Sequence, residues 1–126
     1  PAQMDLFFLV APTTTEKRLQ GICEHSSGYL YYVSLKGVTG AAITDADSIA
    51  ERVKALRERT ELPVVVGFGI KDEASATSMA AISDGVIVGS ALVQKIGELT
   101  DSGARDEAAV AQACELIGRL RKALDA

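Results

Sequence analysis

The sequence holds one histidine, His25, and two cysteines, Cys23 and Cys114, in 126 residues. One histidine and no Cys/His cluster leave nothing with metal-ligand spacing. The cysteines stand far apart and form no CxxC, so both are expected as buried, reduced thiols. A cytosolic setting fits that usage. Long apolar runs are also missing. The longest, "LFFLVA" and "PVVVGFGI", fall far short of the roughly 18 residues a membrane span needs. No charged start leads into an apolar stretch with a small-residue cleavage site, so no signal peptide is expected. Basic residues are few: Lys and Arg total 13 against 17 acidic residues, for a net charge of −4. Without a basic stripe, nucleic acid and anionic membrane surfaces are disfavoured as partners.

What is present is a strict alternation. Four apolar, β-rich runs recur at Leu6–Ala11, Tyr29–Val33, Val64–Gly67 and Val86–Val88. Each leads into a segment of helical period. Thr13 to Glu16 has capping-box spacing, with Leu19, Ile22 and Cys23 following. Ile49, Val53 and Leu56 mark a second helix that should end near Thr60, before Pro63. Asp72 should cap a third, carrying Ala76, Met79 and Ala80 and stopping at Ser83–Gly85. Ser90 should cap a short helix running to about Ile96. A long final helix has Val110, Cys114, Ile117, Leu120 and Leu124 as its expected apolar face.

Alternating strand and helix predicts a parallel sheet with right-handed crossovers, in a single domain over 1–126. Two architectures satisfy the pattern. One is an open sheet covered by helices on both faces. The other is part of a (β/α)8 barrel, which needs eight units and about 250 residues. Four units of a barrel would leave an apolar inner face for further strands, from the rest of a longer chain or from a second copy. The start at "PAQMD", with no methionine and no helix before the first strand, is what a piece of something longer would show.

The segment "VVVGFGIKDEASATSMAAISDGVIVGSAL" carries the chemistry that can be read. "GFG" ends the third strand and "GSA" follows the fourth, each before a helix. "KGVTGA" follows the second. A helix start presents unpaired N–H groups and the positive end of the dipole, and glycine lets phosphate oxygens approach the backbone. The last two loops of a barrel are a frequent phosphate site. Gly69 and Gly89–Ser90 are therefore the expected phosphate grip, while any one glycine alone equally fits a strand ending. "GFG" is not a dinucleotide fingerprint, which needs six positions in one loop. The connection "SLKGVTGAAITDAD" suits a lid over a substrate, or a plain surface connection.

Candidate general acids and bases are scarce at the strand ends. Asp5 opens its strand at the wrong end. Asp72 and Glu73 begin a helix, and His25 follows one, as a solvated residue. Ser34 has no histidine nearby in the pattern. Tyr31 can point into the mouth; Tyr29 and Tyr32 suit packing. Phe68 suits a ligand ring or the core equally.

The stretches "LFFLVAPTTTEKRL", "GYLYYVSLKGVTGA", "PVVVGFGIKDEASA" and "DGVIVGSALV" together resemble the C-terminal half of the tryptophan synthase alpha subunit family. The resemblance covers essentially the whole chain in the family's order. It implies a TIM-barrel α/β fold of which these are strands five to eight. It also implies cleavage of indole-3-glycerol phosphate to indole and glyceraldehyde 3-phosphate, in tryptophan biosynthesis. The implied partner is a beta subunit, which carries the pyridoxal phosphate; this chain would need no cofactor of its own. Phosphate binding falls to backbone N–H groups at Gly40, Gly69, Gly89 and Ser90. Tyr31 and Phe68 belong to the substrate pocket. Leu35–Gly40 matches the lid, in which Thr39 contacts a catalytic aspartate. Many members have arginine where this chain has Leu35, with Lys36 beside it as a neighbouring charge. The family's catalytic glutamate and aspartate lie in its N-terminal half, so no catalytic residue is expected here. The competing expectation is a noncatalytic phosphate-binding half barrel that homodimerises. A third, indole-glycerol-phosphate synthase, shares the glycine logic but fits "SLKGVTG" and "APTTTEKRL" less well.

Overall fold

A computed structural model of the chain describes residues 4–34, 46–67, 69–103 and 106–126. Strands β1 (Leu9–Val10), β2 (Leu30–Val33), β3 (Val64–Gly67) and β4 (Gly85–Ile87) form one sheet in the order β1-β2-β3-β4. All three pairings are parallel, with Tyr31 opposite Leu9 and Val65, and Gly67 opposite Ile87. Helices α1 (Glu16–His25), α2 (Ala46–Arg57) and α3 (Glu73–Ala80) connect the strands. Helices α4 (Ser90–Asp101) and α5 (Glu107–Asp125) follow β4.

Side chains alternate across a strand, and the two faces of this sheet have different fates. Val10, Leu30, Tyr32, Val64 and Val66 point to one face, where Leu19, Val53, Leu56, Ala76, Met79 and Leu120 of the helices meet them. Leu30, Val53, Val64 and Val66 are fully buried. Each contributes roughly 1.5–3 kcal/mol by leaving water. The opposite face carries Phe7, Leu9, Tyr31, Val33, Val65 and Ile87. Leu9 stays 57% exposed and Phe7 45%, with Phe7 stacked on Tyr29 at 4.4 Å between ring centroids. An open sheet with helices on both faces is therefore not the architecture. The strands look apolar throughout because one face packs on helices and the other awaits a barrel interior.

Several local expectations change. The ladder of β1 has two residues rather than six, because it is an end strand paired on one side only. α1 begins at Glu16 behind Thr15, whose side chain makes no cap. The Thr14 hydroxyl instead accepts from the Ala11 N–H at 3.0 Å. α2 ends at Arg57, three residues before Thr60. α4 is capped by Gly89 rather than Ser90, and continues to Asp101. The buried face of α5 is Ala109, Ala113 and Leu120 with Leu116 and Leu124. Val110 and Ile117 are exposed. Cys114 is exposed and Cys23 half-buried, so the expectation of two buried thiols fails. Burial still pushes the Cys23 thiol above its ordinary pKa. Tyr32 is core, and His25 is exposed at the end of α1, its Nδ1 2.8 Å from the Gly21 carbonyl.

A carboxylate ties the N-terminal ends of the strands together. Asp84 accepts from the Arg57 guanidinium at 2.6 and 3.3 Å and from the Val64 N–H at 2.8 Å. It links the end of α2 to the starts of β3 and β4, the end of a barrel that governs stability. Asp84→Ala should cost about 1–2 kcal/mol, by orphaning the buried Val64 N–H. Solvent screening holds the effect toward the lower figure, since the Asp84 side chain is 40% exposed. The Arg57 and Val64 hydrogen bonds hold the Asp84 carboxyl below the ordinary carboxylate range. Its contribution is thus complete above the unfolded-state pKa and lost as pH falls through the lower folded-state value. Urea unfolding at neutral and acidic pH should show the gap between wild type and Asp84→Ala narrowing in acid.

Candidate functional site

In a parallel β/α sheet the loops leaving the C-terminal strand ends gather at one rim. Register decides which residues meet there. Gly67 pairs with Ile87, so Gly69 and Gly89 each stand two residues beyond paired neighbours on adjacent strands. The two glycine steps of β3 and β4 therefore lie side by side.

The glycines have different work. A Cβ on Gly67 would overlap the ring and hydroxyl of Tyr31. Tyr31 crosses from β2 over β3 on the inner face, and its hydroxyl end lies toward the C-terminal rim. Gly67 is bare because Tyr31 fills the space. Gly69 has φ +74° and is exposed, and a Cβ there would meet nothing within 4 Å. Gly89 is also exposed and open in front. These two leave the backbone open at the rim.

The two helix starts beside them also differ. At α3, the Asp72 carboxylate accepts from the Ser75 N–H at 2.8 Å and from the Ser75 hydroxyl at 2.6 Å. The Ser75 hydroxyl oxygen accepts in turn from the Asp72 and Lys71 N–H groups, each at 3.2 Å. The expected Asp72 cap is therefore present as a full capping box. The Ser75 hydroxyl, then its N–H, hold the Asp72 carboxyl below its ordinary pKa. A fixed negative charge already answers this helix dipole. At α4, the N-cap is Gly89 and no side chain caps the helix. The Gly89 carbonyl takes Leu92 and Val93 N–H at 3.0 and 3.1 Å. The positive end of α4 therefore lies at Gly89 with no side-chain cap, the more favourable of the two helix starts for an anion.

Of the residues expected at the site, the structure brings together Tyr31, Gly69, Gly89 and Ser90 on neighbouring strand ends. Thr39, Gly40 and Phe68, with the rest of the Leu35–Gly40 segment, lie outside the described residues. At the start of α3, Asp72 is engaged in its cap and Glu73 is paired with Arg119 at 3.3 Å. No group of three His, Cys, Asp or Glu among the described residues could hold a metal, and no described helix is long and apolar enough to cross a membrane. What pattern reading misses is the Tyr31–Gly67 packing. The alternation of β2 and β3 places both on one face, but only the register makes them diagonal neighbours.

Four consecutive βα units in one parallel sheet, with an open apolar inner face and an uncapped helix start at the rim, define half of a β/α barrel. Comparison with known proteins agrees. The profile of the tryptophan synthase alpha chain family matches residues 1–124. The tryptophan synthase alpha chain of Alkalilimnicola ehrlichii is 53% identical over 118 residues, covering 94% of this chain and 42% of that protein. That of Marinobacter nauticus is 50% identical over 123 residues, covering 97% and 44%. The crystal structure of tryptophan synthase subunit alpha from Legionella pneumophila superposes with a TM-score of 0.80 at 32% identity, over 97% of this chain and 43% of that one. The chain belongs to the tryptophan synthase alpha chain family, and it spans less than half the length of these relatives.

Proposed function

We propose that the chain is the phosphate-holding half of a tryptophan synthase alpha chain, acting on indole-3-glycerol phosphate. The observation that carries this reading is the uncapped start of α4, open at Gly89 and flanked by Gly69. Backbone N–H groups at Gly69, Gly89 and Ser90 hold the substrate phosphate. Tyr31, fixed against Gly67, borders the pocket from the inner face. Gly40, Thr39 and Phe68 enter this reading through the family resemblance alone.

Carbon–carbon cleavage to indole and glyceraldehyde 3-phosphate needs a proton delivered to the departing indole carbon and one removed from the glycerol hydroxyl. The family's glutamate and aspartate do this from its N-terminal half. This chain supplies no catalytic group; it anchors the substrate's phosphate end, which orients the reacting end. The missing half, or a second copy, covers the inner face. The chain itself takes no cofactor, and its beta-subunit partner carries the pyridoxal phosphate.

The test is titration of the chain with glycerol 3-phosphate, followed by the phosphorus resonance. Saturable binding that inorganic phosphate displaces supports the reading. An unperturbed resonance at every concentration would remove it.

A further inference from the structure

The start of α4 offers N–H groups to an anion but no counter-charge, and it has an ionised neighbour. Asp72 stands three residues beyond Gly69, at most about 11 Å along the chain. The Ser75 hydroxyl and N–H keep its carboxylate charged. A phosphate monoester at neutral pH carries about one and a half to two negative charges. Held at Gly69 and Gly89, it would meet that fixed carboxylate charge unless a cation stood between them.

The chain places one there. Ile70 turns into the core, 5% exposed, and Lys71 turns outward. Lys71 lines a groove of about 320 Å³ with Ala91 and Lys95 of α4 and Glu115 and Arg119 of α5. Ala91 belongs to the first turn of α4, so the lysine shares this groove with the helix start that no side chain caps. The other two cations are engaged. Lys95 pairs with Glu98 at 3.7 Å, and Arg119 with Glu73 at 3.3 Å. Lys71 forms no ion pair with a described residue. Its backbone N–H donates to the Ser75 hydroxyl oxygen at 3.2 Å, which fixes where its side chain leaves the loop. Glu98 and Glu115 are the carboxylates of the groove, against Lys71, Lys95 and Arg119, so positive charge is in excess there.

We propose that Lys71 is a positioning residue for the phosphate, its ammonium group balancing the charge held at Gly69, Gly89 and Ser90. The inference rests on the phosphate reading above and adds the cation that a backbone grip lacks. Lysine suits the place: a point charge on a flexible stem follows an anion without needing bidentate geometry. Because Lys71 is exposed, its charge acts mainly at low ionic strength, within a Debye length of about 10 Å at 0.1 M salt.

The experiment is titration of wild type, Lys71→Gln and Lys71→Arg with glycerol 3-phosphate, at low ionic strength and near 1 M salt, where the Debye length falls to about 3 Å. Lys71→Gln should keep the wild-type circular dichroism, since the side chain is exposed and its contact with the cap is made by backbone. It is expected to bind about three- to fivefold more weakly than wild type at low ionic strength. The gap should close near 1 M salt, and Lys71→Arg should match wild type. Equal affinities of wild type and Lys71→Gln at low ionic strength would overturn the role of Lys71 and leave the phosphate grip standing. A loss of the same size at both salt concentrations, or one shared by Lys71→Arg, would overturn it as a packing effect. No binding by wild type in either condition would remove the grip itself, and Lys71 with it.

Discussion

Gly89→Val is expected to leave folding unchanged and to weaken glycerol 3-phosphate binding by at least about tenfold, a loss of roughly 1.4 kcal/mol or more. The two halves of that statement have separate grounds. Gly89 adopts φ −113°, a conformation open to any residue, and a Cβ there meets no protein atom within 4 Å. The fold has no use for a bare backbone at this position. An anion at the start of α4 does, because its oxygens must reach the backbone N–H groups directly. A valine side chain would occupy that approach. Titration and urea unfolding of the same variant check both halves. Lost binding with unchanged stability supports the phosphate grip. Unchanged affinity would remove Gly89 from it.

Gly67→Ala should behave in the opposite way, losing stability whether or not ligand is present. Its new Cβ would overlap the Tyr31 ring. Gly67 is buried between β2 and β4, so its backbone has little room to retreat. Overpacking of this kind costs about 1–3 kcal/mol. Tyr31→Ala in the same chain should return part of that loss, since the clash has one partner. Urea unfolding of the two single variants and the double variant gives the coupling. Strict additivity would mean that Tyr31 does not fill the space beside Gly67. The two glycines differ in kind: one is bare for a neighbouring side chain, the other, on the proposed reading, for a ligand.

Where the sequence was informative, residue type and local physics agreed. β3 matches its apolar run at both ends, because Val64–Gly67 is a middle strand bounded by Pro63 and a glycine step. The Asp72 cap was legible because carboxylate capping is a local hydrogen-bond pattern. The family was legible from whole quoted stretches, beyond what periodicity alone could give. The apolar face of α5 is legible only in part, Leu120 and Leu124 packing on the core as expected, and the rest fails for a physical reason. Ala109 and Ala113 let α5 approach the core closely but mark no stripe in a hydrophobic pattern. Val110, Cys114 and Ile117 do mark one, and they point elsewhere. α4 outran its expected end because Gly97 did not stop it. The Gln94–Glu98 hydrogen bond and the Lys95–Glu98 ion pair span that turn. The short ladder of β1 and the Asp84 staple depend on which strands are neighbours, which no local window records.

The central claim is that this chain holds the phosphate for chemistry performed by groups outside it. The direct measurement is indole formation from indole-3-glycerol phosphate, with this chain, with the N-terminal half of a family alpha chain, and with the two mixed. The account predicts indole from the mixture alone, and its loss when Gly89→Val replaces the wild-type chain. Indole produced by this chain by itself, or a folded, associated pair that produces none, would contradict it.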